Sequence, residues 1–441
     1  MKPWLIIVVI LSFAARSGAQ QSEPAEPSGI EQAPAPPTLI GQDLPRGLLI
    51  EGAGPNYVTG GIAITQMFTD NAELTNSNTV SDLSYEMMPH LALVHSGPRL
   101  SYDLGVAAGF VVNRTLDQRN RATESAAGDL SYRVAQFVTL RLNDSFMNTT
   151  GLWSGLNTGT SSTGSGIGAV QQPSSAVLTY DRFRSNSALA ELSAQLSTNT
   201  FAGVRGTHSY TWFPDGSSSP VAGTLYNDQL YSAEAFYNHH FTARNWAGIT
   251  LRAQRFDLEH SAPRTDTASL LVLYGVNIRP NVSLSLFGGP ELSVTVVPQG
   301  IALPPTPFPH RLWSPAAGAV FSWQGHRTTG GASYTRLINS SGGLSSAVTL
   351  TSVEGNVLRQ VGSHLELGPG FLYAESVPIV GTQTIRTCSG LFQFTYRVGR
   401  NYLFNGGYAR DQQSAIGTNN SASANRVWIS FSVDFLRPLG R

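Results

Sequence analysis

Histidine, serine and carboxylate residues set the chemistry open to this chain, and their spacing supports little of it. His239-His240 is the one adjacent histidine pair, beside a tight turn, with no carboxylate within several residues. That fits a turn pair better than a metal centre, which needs three or four converging ligands. His90 and His95 lie five apart, so on a strand they fall on opposite faces. A rim hydrolase could use His208, Ser209 and Asp215, or His260 and Ser261, but this spacing alone builds no dyad. Gly164–Gly168 is glycine-rich without the strand-to-helix context of a phosphate cradle. The sequence thus assigns no catalytic residue, no metal site and no cofactor. The single cysteine, Cys388, excludes an intrachain disulfide and reads as a packed residue.

The remaining polar chemistry is a set of isolated charges on alternating segments. Within 281–296, Val282, Leu284, Leu286, Leu292, Val294 and Val296 share one face, and Ser283, Ser285, Glu291, Ser293 and Thr295 the other. Successive strand side chains point to opposite faces, so one side of this strand is apolar and the other wet. The pattern recurs. Tyr102, Leu104, Val106, Ala108 and Phe110 oppose Asp103; Leu140 and Leu142 oppose Arg141; Leu192 opposes Glu191; Leu251 opposes Arg252; Val276 and Ile278 oppose Arg279; Phe394 and Tyr396 oppose Arg397. A charge facing lipid at mid-bilayer costs ~2–4 kcal/mol, so these charges belong inside. The expected lumen set is Asp103, Arg141, Glu191, Arg205, Arg252, Arg279, Glu291, Arg397 and Asp434. Five arginines against four carboxylates form no ring of one sign, and strong ion selectivity is not expected.

Eighteen such segments are read, with sixteen as the alternative because 60–68 and 83–94 are weakly patterned, with Pro89 inside the latter. Tight turns rich in Gly, Pro and Asn follow every second strand, as at Ser96-Gly97-Pro98 and Arg279-Pro280-Asn281. The other connections are long. The expectation is an all-β chain, a single transmembrane antiparallel barrel over 47–441, with short periplasmic turns, long outer loops and both termini periplasmic. Pro290 interrupts an otherwise well-patterned strand, and a bulge is expected at Gly288–Pro290.

Ahead of the barrel, Lys2, the apolar run Trp4–Ala15 and Ser17-Gly18-Ala19 read as a signal peptide over 1–19. Residues 20–46, with six prolines, read as a disordered periplasmic linker. Charged residues make up 13% of the 441-residue chain, about half the soluble average of ~25%. Net charge is zero and Lys2 is the only lysine, which offers nucleic acid no basic patch. A propeller would show a repeat of ~40–50 residues, and none occurs.

The last strand, Val427-Trp428-Ile429-Ser430-Phe431-Ser432-Val433-Asp434-Phe435, resembles the terminal signal strand of Gram-negative outer-membrane β-barrel proteins, although Leu436–Arg441 follow it. The resemblance is to porin-like barrels as a class. It implies outer-membrane lipid and the barrel-assembly machinery as partners. It also implies a place for a constriction, since the third outer loop of porins commonly folds into the lumen. Here that loop is 148–185, ending in Tyr180, Asp181, Arg182, Phe183 and Arg184. It either narrows the lumen or is a surface loop whose end extends strand six. The function expected is a porin-like channel for passive diffusion of small polar solutes. A structural or surface-interaction barrel is the alternative, and a barrel-borne hydrolase comes third. Oligomeric state is left open.

Overall fold

The computed structural model describes residues 56–149, 182–213, 218–219, 223–258, 263–296, 310–340, 343–344, 346–381, 383–399, 401–416 and 420–438. The expected signal peptide and linker lie outside them, as do Tyr180, Asp181, Asp215, His260 and Ser261.

Eighteen long strands form the wall: β1 (Asn56–Thr69), β2 (Asp82–Ser96), β3 (Leu100–Asn113), β4 (Arg121–Ala135), β5 (Val138–Thr149), β6 (Phe183–Ser197), β7 (Thr200–Trp212), β8 (Asp228–His240), β9 (Asn245–Leu258), β10 (Arg264–Arg279), β11 (Val282–Val296), β12 (His310–Gln324), β13 (Thr328–Asn339), β14 (Val348–Val361), β15 (Leu365–Pro378), β16 (Thr384–Val398), β17 (Tyr402–Ile416) and β18 (Ser421–Pro438). Each pairs antiparallel with its chain neighbours. β1 also pairs with β18, from Tyr57 opposite Pro438 to Thr69 opposite Arg426, and closes the sheet. Closure leaves no open edge, the condition for a sheet to cross a bilayer. A two-residue ladder in the loop after β7, Ser218-Ser219 with Gly223-Thr224, stands apart.

The alternation sorts as expected. Leu104, Val106, Phe110, Ile249, Leu251, Val272, Val427, Ile429 and Phe435 are exposed on the outside, while Glu191, Arg205, Arg252, Glu291 and Asp434 are buried on the inside. From Val427 to Phe435 the apolar face of β18 runs eight residue steps. That is about 27 Å along the strand, or about 20 Å of height at a tilt of ~40°, close to an outer-membrane hydrocarbon band. The chain is a transmembrane barrel of the outer-membrane type. Several strands extend past the expected ends: β12 starts at His310, β17 runs to Ile416 and β18 starts at Ser421. Their outward residues there are mostly polar (Arg311, Gln412, Ser414, Ser423), with Trp313 and Ile416 as isolated apolar positions, so no sustained apolar alternation marks those turns of strand.

The expected bulge at Pro290 does not form. β11 keeps one register with β10 on both sides of it, from Ser269 opposite Glu291 to Val272 opposite Gly288. Only the pairs at Leu270 and Leu271 drop out, because proline brings no donor to that ladder. Gly289 lets the backbones approach, since a Cβ there would collide with the Leu270 carbonyl oxygen. Pro89 on β2 is absorbed likewise: the ladder to β3 skips Met88 and Pro89 and resumes at His90 opposite Ala107.

One seam is different. β12 and β13 pair over eight residues, Ala317–Gln324, whereas every other seam has at least eleven pairs. Gly325 donates its N–H to Thr328 across this seam at 2.7 Å, so the odd-numbered residues of β12 aim their N–H groups at β13. Pro315 belongs to that series and has none. Above Ala317 the two strands part. β12 stays on β11 as far as His310, and β13 stays on β14 as far as Asn339 opposite Val348. Leu337 and Ile338 are both completely buried, although one of them would face lipid in an unbent strand. The tip of the β13–β14 hairpin has turned into the barrel.

Candidate functional site: a charge ladder and an inward hairpin

Lateral pairing places the inner-wall charges in a row. Arg141 on β5 lies opposite Glu191 on β6, Glu191 opposite Arg205 on β7, Arg205 opposite Glu234 on β8, and Glu234 opposite Arg252 on β9. Ser269 on β10 then links Arg252 to Glu291 on β11. Charges alternate along the row, and most neighbours bond. Arg205 Nε donates to Glu191 Oε2 at 2.8 Å, and its Nη1 to Glu234 Oε2 at 3.3 Å. Arg252 Nη2 donates to Glu291 Oε1 at 3.3 Å. At the far end Arg141 Nη2 meets Asp129 Oδ2 at 2.7 Å. A row of paired residues climbs about 3 Å per strand when strands ~4.8 Å apart tilt by ~40°, so Arg141 and Glu291 differ in height by about 18 Å. The row is a ramp up the inside of seven of the eighteen strands.

Five of the expected lumen residues stand in this row: Arg141, Glu191, Arg205, Arg252 and Glu291. Asp103 faces inward opposite Asp129 on β4, near the short-turn end. Arg397 keeps its inward phase but sits exposed at that same end, while Arg279, also exposed there, loses that phase, because a register shift between Asn277 and Arg279 sets it opposite the outward-phase Val282. Asp434 lies on the other side of the barrel, bonded to His90. Glu234 and Asp129 are the members that alternation did not single out. β8 reads Leu230, Ser232, Glu234, Phe236 on its inner face, mixed in polarity, so its phase carries little signal. A second buried set joins Ser389, Asp411 and Arg426: Asp411 accepts from Ser389 Oγ at 2.6 Å and from Arg426 Nε at 2.7 Å.

The inward hairpin tip reaches this row. Glu291 Oε2 accepts the Ile338 N–H at 2.8 Å, a bond to backbone that has left its own ladder. Ser340 Oγ donates to Asp228 Oδ2 on β8 at 2.6 Å, and the Tyr226 N–H reaches the Gly343 carbonyl oxygen at 2.8 Å. Ile338 and Ala347 pack with Leu230 and Phe256 of β8 and β9. Leu344, Phe213, Leu225, Leu74 and Phe183 pack on the inner residues Val348, Leu350 and Leu372. An apolar plug of outer-loop residues thus sits in the mouth, above a charged wall.

Of the expected constriction segment, Phe183 and Arg184 are the first residues of β6. Arg182 Nε donates to Asn148 Oδ1 at 3.1 Å, Phe183 is buried in the plug, and the Arg184 guanidinium lies 4.9 Å from the Trp212 ring centre on the outside. This end of the loop extends strand six. Of the rim-hydrolase candidates within the described residues, His208 and Ser209 do not converge, since His208 packs on the Tyr231 ring outside while Ser209 faces inward. His239 Nδ1 shares a hydrogen bond with Thr200 Oγ1 at 2.9 Å. Among the described residues no three His, Cys, Asp or Glu side chains are placed to hold a metal ion.

No family model matches the chain, and no curated protein does. Several solved structures are similar to it. Pseudomonas aeruginosa OccK2 (OpdF), solved in complex with glucuronate, is 12% identical over 86% of this chain and 98% of its own, with a TM-score of 0.44. The outer membrane protein OpdK of P. aeruginosa is 10% identical over 86% and 99%, at 0.43. Acinetobacter baumannii OccAB4 is 10% identical over 87% and 99%, at 0.42. The barrel assignment rests on the closed ladder itself.

Proposed function

We propose that this barrel is an outer-membrane channel through which small polar solutes pass by diffusion. One observation carries the reading: a closed wall of eighteen strands whose inner face bears a continuous row of alternating charges. Eighteen strands enclose more interior than their own side chains fill, and barrels of this size hold an aqueous channel. A purely structural barrel has no need of ionised groups along its interior, where each must be matched to be tolerated. Because Arg205 and Arg252 are compensated by Glu191, Glu234 and Glu291, the wall offers solutes local dipoles instead of a net field. Solutes with several hydroxyl or carboxylate groups suit such a surface. The outer membrane supplies the lipid around the apolar belt. β18, whose apolar face runs to Phe435, is the segment that the barrel-assembly machinery would read.

The apolar plug favours a second reading, a closed barrel that acts through its outer surface. Swelling of proteoliposomes in small sugars separates the two. Swelling faster than that of empty liposomes supports the channel, and folded protein giving none supports the closed barrel.

A further inference from the structure

The short-turn end of the barrel carries a ring of arginines. The junctions that circle it are the hairpin turns and the β18–β1 closure, and every one except β6–β7 has an arginine within two residues of a strand end. Arg99 and Arg133 face each other at the inner edge. The Arg133 N–H donates to the Arg99 carbonyl oxygen at 2.8 Å, and Arg133 lies opposite Thr139, in phase with the inward Arg141. The same backbone bond sets Arg244 opposite Asn277 at 2.8 Å and Arg327 opposite Gln360 at 2.7 Å. All of these arginines are exposed, on the phase that lines the mouth. Arg279, Arg359 and Arg437 are exposed beside them on the outer side, opposite Val282, Thr328 and Val58. None of these rim arginines forms an ion pair with a described residue. The long-loop end differs, since its exposed Arg255, Arg264 and Arg386 bond to Asp266 and Glu375 at 2.6–2.8 Å. Among the described residues Glu366 is the one carboxylate within two residues of a strand end on the ring side. In a chain of zero net charge, these cations stand apart from their counter-charges. Like charges directly opposite on a sheet destabilise it, so Arg99 facing Arg133 calls for an anion.

We propose that this ring binds an anionic polymer, a glycan that carries carboxylates at regular intervals. The placement of the cations selects this occupant. Arg99, Arg133, Arg244 and Arg327 stand at the water-filled mouth, on the phase turned away from lipid headgroups. Each exposed cation offers a carboxylate only ~0.2–1 kcal/mol, so a single small anion gains little. Adjacent junctions are two strands apart, about 12 Å along the rim for strands ~4.8 Å apart and tilted by ~40°. A chain with repeated carboxylates meets several such arginines at once, and the weak contacts multiply. The cell-wall glycan with its peptide stems is a polymer of this kind, on the side to which the short turns are assigned. The inference rests on that periplasmic assignment and is independent of transport. At molar salt the Debye length is ~3 Å, so the ring leaves the field along the lumen to the compensated wall.

Co-sedimentation of the folded full-length protein in detergent with purified peptidoglycan sacculi tests it. The wild type is expected to pellet with the sacculi at low salt. Arg99→Gln/Arg133→Gln/Arg244→Gln/Arg327→Gln should weaken that binding about tenfold or more, the summed loss of several exposed contacts. Arg114→Gln/Arg264→Gln/Arg386→Gln/Arg410→Gln, an equal change of charge at the long-loop end, should pellet as the wild type does. Sacculi whose carboxylates have been converted to amides should not hold the wild type. Unchanged pelleting of the folded rim variant overturns the site. So does equal binding of the wild type to amidated sacculi, a comparison that stands even if the rim variant does not fold. Release by phosphatidylglycerol added to the micelles would assign the rim to lipid headgroups and overturn the proposal. Release by acetate at the same carboxylate concentration would show a site for single anions and do the same. Binding is read on the isolated protein, so a failure here leaves the channel standing, and a barrel that conducts nothing leaves this site standing.

Discussion

His90 on β2 and Asp434 on β18 meet across the strand between them: His90 Nε2 lies 2.6 Å from Asp434 Oδ1, over Gly61 of β1. Both are buried, and a Cβ on Gly61 would collide with the Asp434 carboxylate, the Val433 carbonyl oxygen and the His90 ring. The bond staples the closing seam from inside. Gly61→Ala is expected to destabilise the barrel by about 1–3 kcal/mol, the usual cost of overpacking. His90→Ala should cost about 1–3 kcal/mol by removing a buried hydrogen-bond partner of the Asp434 carboxylate, which keeps only Ser432 Oγ at 3.3 Å as a side-chain partner. Urea unfolding in lipid vesicles, followed by the heat-shifted gel band, reads both; wild-type midpoints in the two variants would refute the staple.

Arg205 stands between Glu191 and Glu234, with all three side chains nearly buried. Arg205→Ala should therefore be among the most destabilising changes in the wall, about 3–5 kcal/mol, while Glu234→Gln should cost much less because Arg205 keeps Glu191. Denaturant midpoints give the order, and a reversed order would show that the row is not coupled as described.

Glu291 holds the Ile338 backbone, and the hairpin tip depends on that bond. Glu291→Gln keeps an acceptor and should hold the tip. Glu291→Ala should release it, seen as faster hydrogen exchange over Leu337–Val348 by about tenfold, the loss of a hydrogen bond of ~1.4 kcal/mol. Equal protection in both variants would remove Glu291 from this role.

What the sequence reveals divides along one physical line. Alternation is local, so the eighteen strands, the inward phase of Arg252 and Glu291, and the opposite faces of His90 and His95 are legible from the residues alone. Pairing across strands is not local. Register depends on the stagger of the whole barrel, which no single segment encodes, so the row from Arg141 to Glu291 and the His90–Asp434 contact are not legible that way. The inward hairpin is hidden for a related reason. Leu337 and Ile338 read as ordinary strand residues, and only the position of Pro315 opposite them, fixed by the register, explains why the ladder ends there.

The plug predicts a change in passage without a change in fold. Leu344→Gly with Phe213→Ala removes two of its side chains. The pair should raise conductance while the melting profile in detergent falls only modestly, since the wall ladders are untouched. An unchanged conductance in a conducting barrel would place the narrowest point elsewhere.

Single-channel recording of the folded full-length chain in a planar bilayer tests the central claim most directly. The charged, compensated inner wall predicts discrete conductance steps with a reversal potential near zero in a salt gradient, because cations and anions find matched groups along the ramp. A folded, inserted barrel that shows no steps at any voltage would contradict the channel and leave a closed barrel in its place.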